Sequence, residues 1–366
     1  MARLTWRWGL VAALVGSLSA LPTLAGALPA DGAEVGAEQL LAKVRTSGDV
    51  GWSGYSESRG TLVLPDVREL SELPGLVGGT TRTRVWWRGP QDWRVDALSL
   101  VGETDTTRDG DGGWTWQSAD RRATRLTGAL DVRLPTAADL LAPTLGRRLA
   151  RTADVTASRL PARRVAGRSA AGLRLVPRRP EMTTIGSVDL WVEPRTGLPL
   201  QVEVRAVGEP EASLVSTLLD LDLTTPSAGR TRFTPPGGAA VTVVEAPDLA
   251  ALADRFAPYL LPEELAGLPR RPRSTVSVGG GVGTYGDGFT ALALVPLPHD
   301  LARGIIRRVS SDPDGSLAPI STSLVNALVG LDRGGRAYLL VGTVPASVLT
   351  RALEQLRADP PPVGPR

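Results

Sequence analysis

The sequence predicts a mainly β unit (a sandwich, a barrel or one strongly curved sheet) followed by a small α+β unit. The first observation is a run of about ten short segments, ending near Leu223, that alternate apolar and polar residues with turn residues at the breaks. The second is tryptophan: five of the nine fall between Thr81 and Leu126, all in strand-like segments. The third is a change of pattern after Phe233-Thr234-Pro235-Pro236-Gly237-Gly238, where helical periodicity begins to alternate with strands.

In chain order, residues 1–27 read as a secretory signal. Arg3 and Arg7 form a basic start, Gly9 to Leu24 an apolar core, and Ala25-Gly26-Ala27 a small-x-small cleavage site. Retention as a membrane anchor is the competing reading; Pro22 and the small residues favour cleavage. No other run approaches the ~20 apolar residues that span a bilayer. The expectation is an exported protein of the cell envelope, with or without membrane association. Cysteine is absent, which excludes disulfides, thiolate metal sites, a cysteine nucleophile and lipid attachment at an N-terminal cysteine.

The pI near 9.7 does not imply a nucleic-acid partner. Residues 1–27 carry two arginines and no acid, which leaves 39 basic against 38 acidic groups in the mature chain. The pI is high because Lys43 is the only lysine and nearly every basic group is arginine. Doublets such as Arg121-Arg122, Arg147-Arg148 and Arg163-Arg164 are scattered among acids and form no stripe for a phosphate backbone.

Glu38 to Val44 reads as an amphipathic helix, Trp52–Ser58 and Gly60–Leu64 as strands paired with each other, and Pro65 to Gly79 as a flap-like loop. A meander follows: Arg82–Arg88, Asp92–Ala97, Glu103–Arg108 and Gly113–Gln117, punctuated by Gly89-Pro90-Gln91 and the Asp109-to-Gly113 turn. Within single strands Val85 and Trp87 share a face, as do Trp93 and Val95, and Trp114 and Trp116. The expectation is one indole-rich apolar face and one solvated face. Each tryptophan carries about 150–250 Å² of surface, so such a face is either filled as core or forms the wall of a ligand hollow.

Thr136-Ala137-Ala138-Asp139 has the form of a capping box ahead of a helix at Leu140 that Pro143 interrupts before Leu145–Arg151. Strands are expected at Val155–Leu160, Arg163–Gly167, Gly172–Pro177, Gly186–Glu193, Pro199–Val207 and Leu214–Leu223. Leu190 shares a face with Val188 and Val192, and Val202 with Leu200 and Val204. Beyond the boundary the pattern gives a helix at Asp248–Tyr259, a proline-broken stretch at Leu261–Arg273, and strands at Ser274–Val278 and Gly288–Pro296. It continues with an amphipathic helix at Ser321–Leu331, a strand at Arg336–Thr343, a helix at Ser347–Arg357 and a proline-rich tail.

Catalytic chemistry finds little support. His299 is the only histidine, placed on a loop, and no Gly-x-Ser-x-Gly elbow accompanies it. One histidine without cysteine disfavours zinc, copper and haem. Gly281-x-Gly283-x-x-Gly286 matches the dinucleotide pattern, but a second strand follows it where a helix N-terminus is required. The Asp109-to-Gly113 turn lacks the spacing and closing glutamate of a calcium loop. No cofactor, metal or catalytic residue is expected.

Four segments together resemble the lipoprotein-carrier (LolA-like) superfamily. They are Arg84-Val-Trp-Trp-Arg-Gly-Pro-Gln-Asp-Trp-Arg-Val95, Gly112-Gly-Trp-Thr-Trp116, Leu190-Trp-Val-Glu-Pro-Arg-Thr-Gly-Leu-Pro-Leu200 and Phe233-Thr-Pro-Pro236. Within it they look most like sigma-E regulatory proteins of the RseB/MucB type, and Arg336-Ala-Tyr-Leu-Leu-Val-Gly-Thr-Val-Pro-Ala346 resembles the end of their C-terminal domain. The resemblance implies a curved antiparallel half-barrel with a helical lid at 34–237, a small α+β domain at 240–360 and a disordered tail at 361–366. It also implies a non-catalytic protein that senses an acyl-chain lipid or lipoprotein and restrains a membrane-anchored anti-sigma factor. A lipid or lipoprotein carrier is the alternative. From strand parity, the candidate ligand-binding residues are Val85, Trp87, Trp93, Val95, Trp114, Trp116, Leu190 and Val202. The lipid-modified relatives keep an N-terminal cysteine that this chain lacks.

Overall fold

The computed structural model describes residues 35–62, 77–100, 102–110, 112–127, 135–245, 259–271, 282–309 and 317–362. The expected signal segment, nearly all of the expected Pro65–Gly79 loop and Asp248–Tyr259 helix, the expected Ser274–Val278 strand and most of the tail lie outside them.

Most of the described chain forms one twelve-stranded sheet. Its strands are β1 (Trp52–Gly60), β2 (Thr80–Gly89), β3 (Asp92–Leu98), β4 (Glu103–Asp109), β5 (Gly112–Gln117), β6 (Arg122–Thr127), β7 (Val155–Val165), β8 (Arg168–Pro177), β9 (Ile185–Val192), β10 (Pro199–Ala206), β11 (Ala212–Asp222) and β12 (Ala240–Glu245). They run in the order β12-β6-β5-β4-β3-β2-β1-β11-β10-β9-β8-β7. All neighbours are antiparallel except β12, which lies parallel to β6. The sheet is curved and its two edges, β12 and β7, do not meet, so it is a half-barrel, the narrowest of the shapes the alternation allowed.

Two expectations about pairing are corrected. Trp52–Ser58 does not pair with Gly60–Leu64; β1 is one strand that pairs with β2 on one side and β11 on the other, joining the first hairpins to the last. Val155–Leu160 and Arg163–Gly167 are likewise one edge strand, β7, with a register slip at Pro161, where an edge tolerates the missing donor.

Helices α1 (Ala37–Thr46) and α2 (Ala142–Ala150) cover the concave face, preceded at α2 by a single 3₁₀ turn over Ala137–Leu140. The Thr136 N–H donates to the Asp139 carboxylate at 2.7 Å and fixes the start of that turn. Pro143 sits in the first turn of α2, where no donor is lost. Helix α2 lies on β10 so closely that a Cβ on Gly146 would stand 2.9 Å from Pro199. Leu40, Leu41 and Val44 of α1 complete a core with Leu173, Leu175, Val188, Leu190 and Val202.

A two-residue ladder of β13 (Glu264–Leu265) and β14 (Leu268–Pro269) leads into the second sheet. That sheet contains β15 (Gly283–Asp287), β16 (Thr290–Leu297), β17 (Leu317–Ser321), β18 (Asn326–Leu331) and β19 (Ala337–Gly342), in the order β15-β16-β19-β18-β17. Helix α3 (His299–Val309) packs on β17 and β18, and α4 (Ala346–Ala358) on β18 and β19. Ser321–Leu331, expected as a helix, is a turn at Thr322–Val325 followed by β18. Its apolar spacing fits either period, and pairing on both edges decides for the strand. His299 opens a helix and does not lie on a loop.

The two sheets share a core. Phe289, in the β15–β16 turn, and Leu324 are buried among the apolar residues of the half-barrel. The Thr183 hydroxyl donates to Phe289 O at 2.6 Å and the Thr184 hydroxyl to Leu324 O at 2.6 Å.

Candidate functional site

Strand register decides which tryptophans stand together. Across the meander Trp87 pairs with Trp93, which pairs with Arg108, then Gly113, then Leu126. The adjacent row is Trp86, Arg94, Thr107, Trp114 and Arg125. Paired residues share a face, so Trp87 and Trp93 point to one side and Trp86, Trp114 and Trp116 to the other. The expected single indole-rich face is therefore corrected: alternation holds within each strand, but parity between strands depends on register.

The concave side carries Val85, Trp87, Trp93 and Val95. Val85 and Val95 are buried floor, together with Ala138 and Leu141 from the helical layer. Trp87 and Trp93 stack with ring centroids 5.9 Å apart and 6° between planes. Their indole N–H groups donate to Gly48 O at 3.0 Å and Pro90 O at 3.1 Å, so the polar ends are satisfied by backbone. Beside this stack a cleft of about 390 Å³ separates β3–β6 from the Thr136–Arg147 segment. Its walls include Trp87, Trp93, Thr106, Thr115, Thr144 and Arg147, and Trp114 also borders it although its indole packs on Phe233. That volume is at the lower end of the ~300–1,000 Å³ typical of small-molecule pockets. Leu190 and Val202 share the concave face but lie fully buried under the helices, away from the cleft.

The convex side is crossed by the chain between β11 and β12. Arg88 donates to Pro226 O, and the turn Ala228–Thr231 packs on β2, β3 and β4. Phe233 then meets Trp114 at 5.6 Å and Trp116 at 5.9 Å. Arg121 donates to Gly237 O at 2.8 Å before β12 joins β6. The Phe-Thr-Pro-Pro segment, placed by its sequence at the end of the first unit, is a strap over the outside of the sheet.

Near the strap Asp96 and Asp105 are 2% and 4% exposed. Arg94 bridges them, at 2.6 Å to Asp96 and 2.7 Å to Asp105, and Arg84 holds Glu103. Burial pushes Asp105 up to about 7, helped by the neighbouring carboxyls of Glu103 and Asp96 and opposed by Arg94. Carboxylate oxygens of Asp96, Glu103 and Asp105 lie within 4.8 Å of one another, so these are the residues here with the geometry to hold a cation. The two arginines already offset most of their charge. His299 is exposed; its ring contacts Gly335 O at 3.0 Å and Arg303 at 2.7 Å.

Sequence reasoning misses Arg147 and Thr144. In the sequence Arg147 is one half of a scattered basic doublet, and its i, i+3 relation to Thr144 on a helix is the one signal that sets it apart.

An open half-barrel with helices in its hollow, a cleft beside them and a second small sheet at one end defines the class of protein. Solved structures of MucB share this fold. The MucA/MucB complex of Pseudomonas aeruginosa matches at 17% identity over 87% of this chain and 96% of that one, with a TM-score of 0.51. A second structure of MucB, in complex with MucA(peri), matches at 17% identity over 87% and 97%, with a TM-score of 0.50. A LolA-superfamily protein of Nitrosomonas europaea aligns with 54% of this chain and 98% of its own at 16% identity, with a TM-score of 0.26. No family model and no curated protein sequence matches the chain.

Proposed function

We propose that this chain is an exported, non-catalytic binding protein of RseB/MucB type. It takes an acyl-chain lipid or lipoprotein into the concave hollow and regulates a membrane-anchored partner of the anti-sigma kind. The observation that carries this reading is the MucB-like fold over both sheets together with a cleft on the concave face. The MucB structures hold MucA, which supports a protein partner for this chain. Among the described residues no helix is long and apolar enough to cross a membrane. The two structural units are proposed to divide near Gly237, with β12 returning to the first sheet. A carrier of lipids or lipoproteins is the second reading. The small sheet, whose Phe289 is buried in the half-barrel core, favours the regulator, because a carrier needs no such addition.

Native mass spectrometry of the mature protein from its own envelope fraction tests the proposal. A discrete added mass in the lipid range, lost on mild extraction, is the expected result. A clean apo mass under conditions that preserve known lipid complexes would sink the hollow as a ligand site.

A further inference from the structure

The concave cleft contains two polar side chains that the fold leaves without partners. Arg147 is 8% exposed, yet among the described residues it makes no hydrogen bond or ion pair. Its guanidinium carbon lies 5.6 Å from the Trp87 ring centroid, and its side chain runs beside Gly48. The Thr144 hydroxyl is buried with no hydrogen-bond partner. The two residues stand three apart on α2, on the same helix face, and both line the cleft. Buried charges in proteins are ordinarily paired, because an unpaired one forfeits its hydration with nothing in return. Burial accordingly pulls the Arg147 pKa down, with Arg151 adding repulsion and Asp49 opposing it. Asp139, the acid in the cleft wall, is occupied by the Thr136 N–H and hydroxyl.

We propose that Arg147 and Thr144 form a subsite for the oxyanion of an amphiphile, a carboxylate or phosphate head whose apolar part lies on the Trp87–Trp93 stack. This rests on the reading of the concave hollow as a ligand site and adds the head-group chemistry to it. Arginine suits such a head because its planar fork presents several donors to two oxygens while its flat face stays on an indole. Thr144 supplies a further donor one turn away.

The test titrates the mature protein with dodecanoate, dodecanol and inorganic phosphate, followed by tryptophan fluorescence and calorimetry. Dodecanoate is expected to bind about tenfold more tightly than dodecanol, the size of one charge-assisted interaction. That preference disappears in Arg147→Met and shrinks in Thr144→Val, while phosphate alone binds far more weakly than dodecanoate. Equal binding of acid and alcohol, unchanged in Arg147→Met, overturns the inference and leaves the hollow intact. Phosphate binding as tightly as dodecanoate overturns the amphiphile and makes the site one for free anions. Absence of binding by both C12 probes overturns the hollow itself. Arg147→Met keeps the apolar stem and removes an unpaired buried charge, so its Tm is expected to hold or rise; a fall of several degrees would assign Arg147 a structural role and overturn the inference.

Discussion

Trp87 and Trp114 belong to one meander yet stand on opposite faces of the sheet. Trp87 stacks on Trp93 in the concave hollow, and Trp114 packs on Phe233 of the strap outside. The difference predicts distinct phenotypes for residues that look alike in the sequence.

Trp87 is 5% exposed and anchors the floor of the hollow. Trp87→Ala is expected to cost about 3–5 kcal/mol, read as a lower urea midpoint with an unchanged slope. Trp93 is half-buried at the cleft. Trp93→Ala is expected to cost less and to weaken acyl binding in the same titration. Trp116→Ala should leave that binding untouched, and a loss of binding there would contradict the face assignment.

The strap depends on Phe233. With the ring removed in Phe233→Ala, the segment loses its contact with two indoles, at a cost of about 1–3 kcal/mol. Hydrogen exchange should then speed up first in β12, which follows the strap and pairs with β6 alone. Uniform acceleration across the whole sheet would argue against a locally held strap.

Phe289 is 1% exposed within the half-barrel core. Phe289→Ala is expected to cost about 3–5 kcal/mol. Thr183→Val removes the hydroxyl that reaches Phe289 O and should have a smaller effect of the same kind. Small-angle scattering of both variants should reveal a larger radius of gyration if this contact is what joins the two sheets, and an unchanged radius if other contacts suffice.

Asp105 makes stability depend on pH in an unusual direction. Its folded pKa, about 7, is above the unfolded value, so the folded state holds a proton that the unfolded state has released. Its contribution is therefore fully present below the unfolded carboxylate range and is lost as pH rises towards and through about 7. Glu57 and Glu193 are shifted down, by Arg82 and by hydrogen bonds from Thr196 respectively, against desolvation. Their stabilisation is present above the ordinary glutamate range and leaves the higher window to Asp105, with Asp96, which burial also pushes up, acting in the same direction. The urea midpoint of the natural protein should fall between about pH 5.5 and 8, and Asp105→Asn should flatten that fall. An equal slope in both proteins would remove Asp105 as its source.

Local chemistry makes much of this protein legible from its sequence. The strands from Thr80 to Gln117 lie within about two residues of where alternation and turn residues put them, because both are properties of neighbours along the chain. The capping interaction at Thr136 and Asp139 and the change from a β-rich part to a mixed part are legible for the same reason. Tertiary structure decided what neighbours cannot express. Register placed Trp114 and Trp116 outside, since a side chain's face within its strand says nothing of its face relative to a partner strand. Pairing on both edges turned Asn326–Leu331 into a strand, because its apolar spacing serves either period. Packing placed Leu190 and Val202 under helices as filled core. Only the folded chain brought Arg147, Thr144 and the Trp87–Trp93 stack to one cleft, because those residues meet through the sheet's curvature and the seating of α2, neither of which leaves a mark in the order of residues.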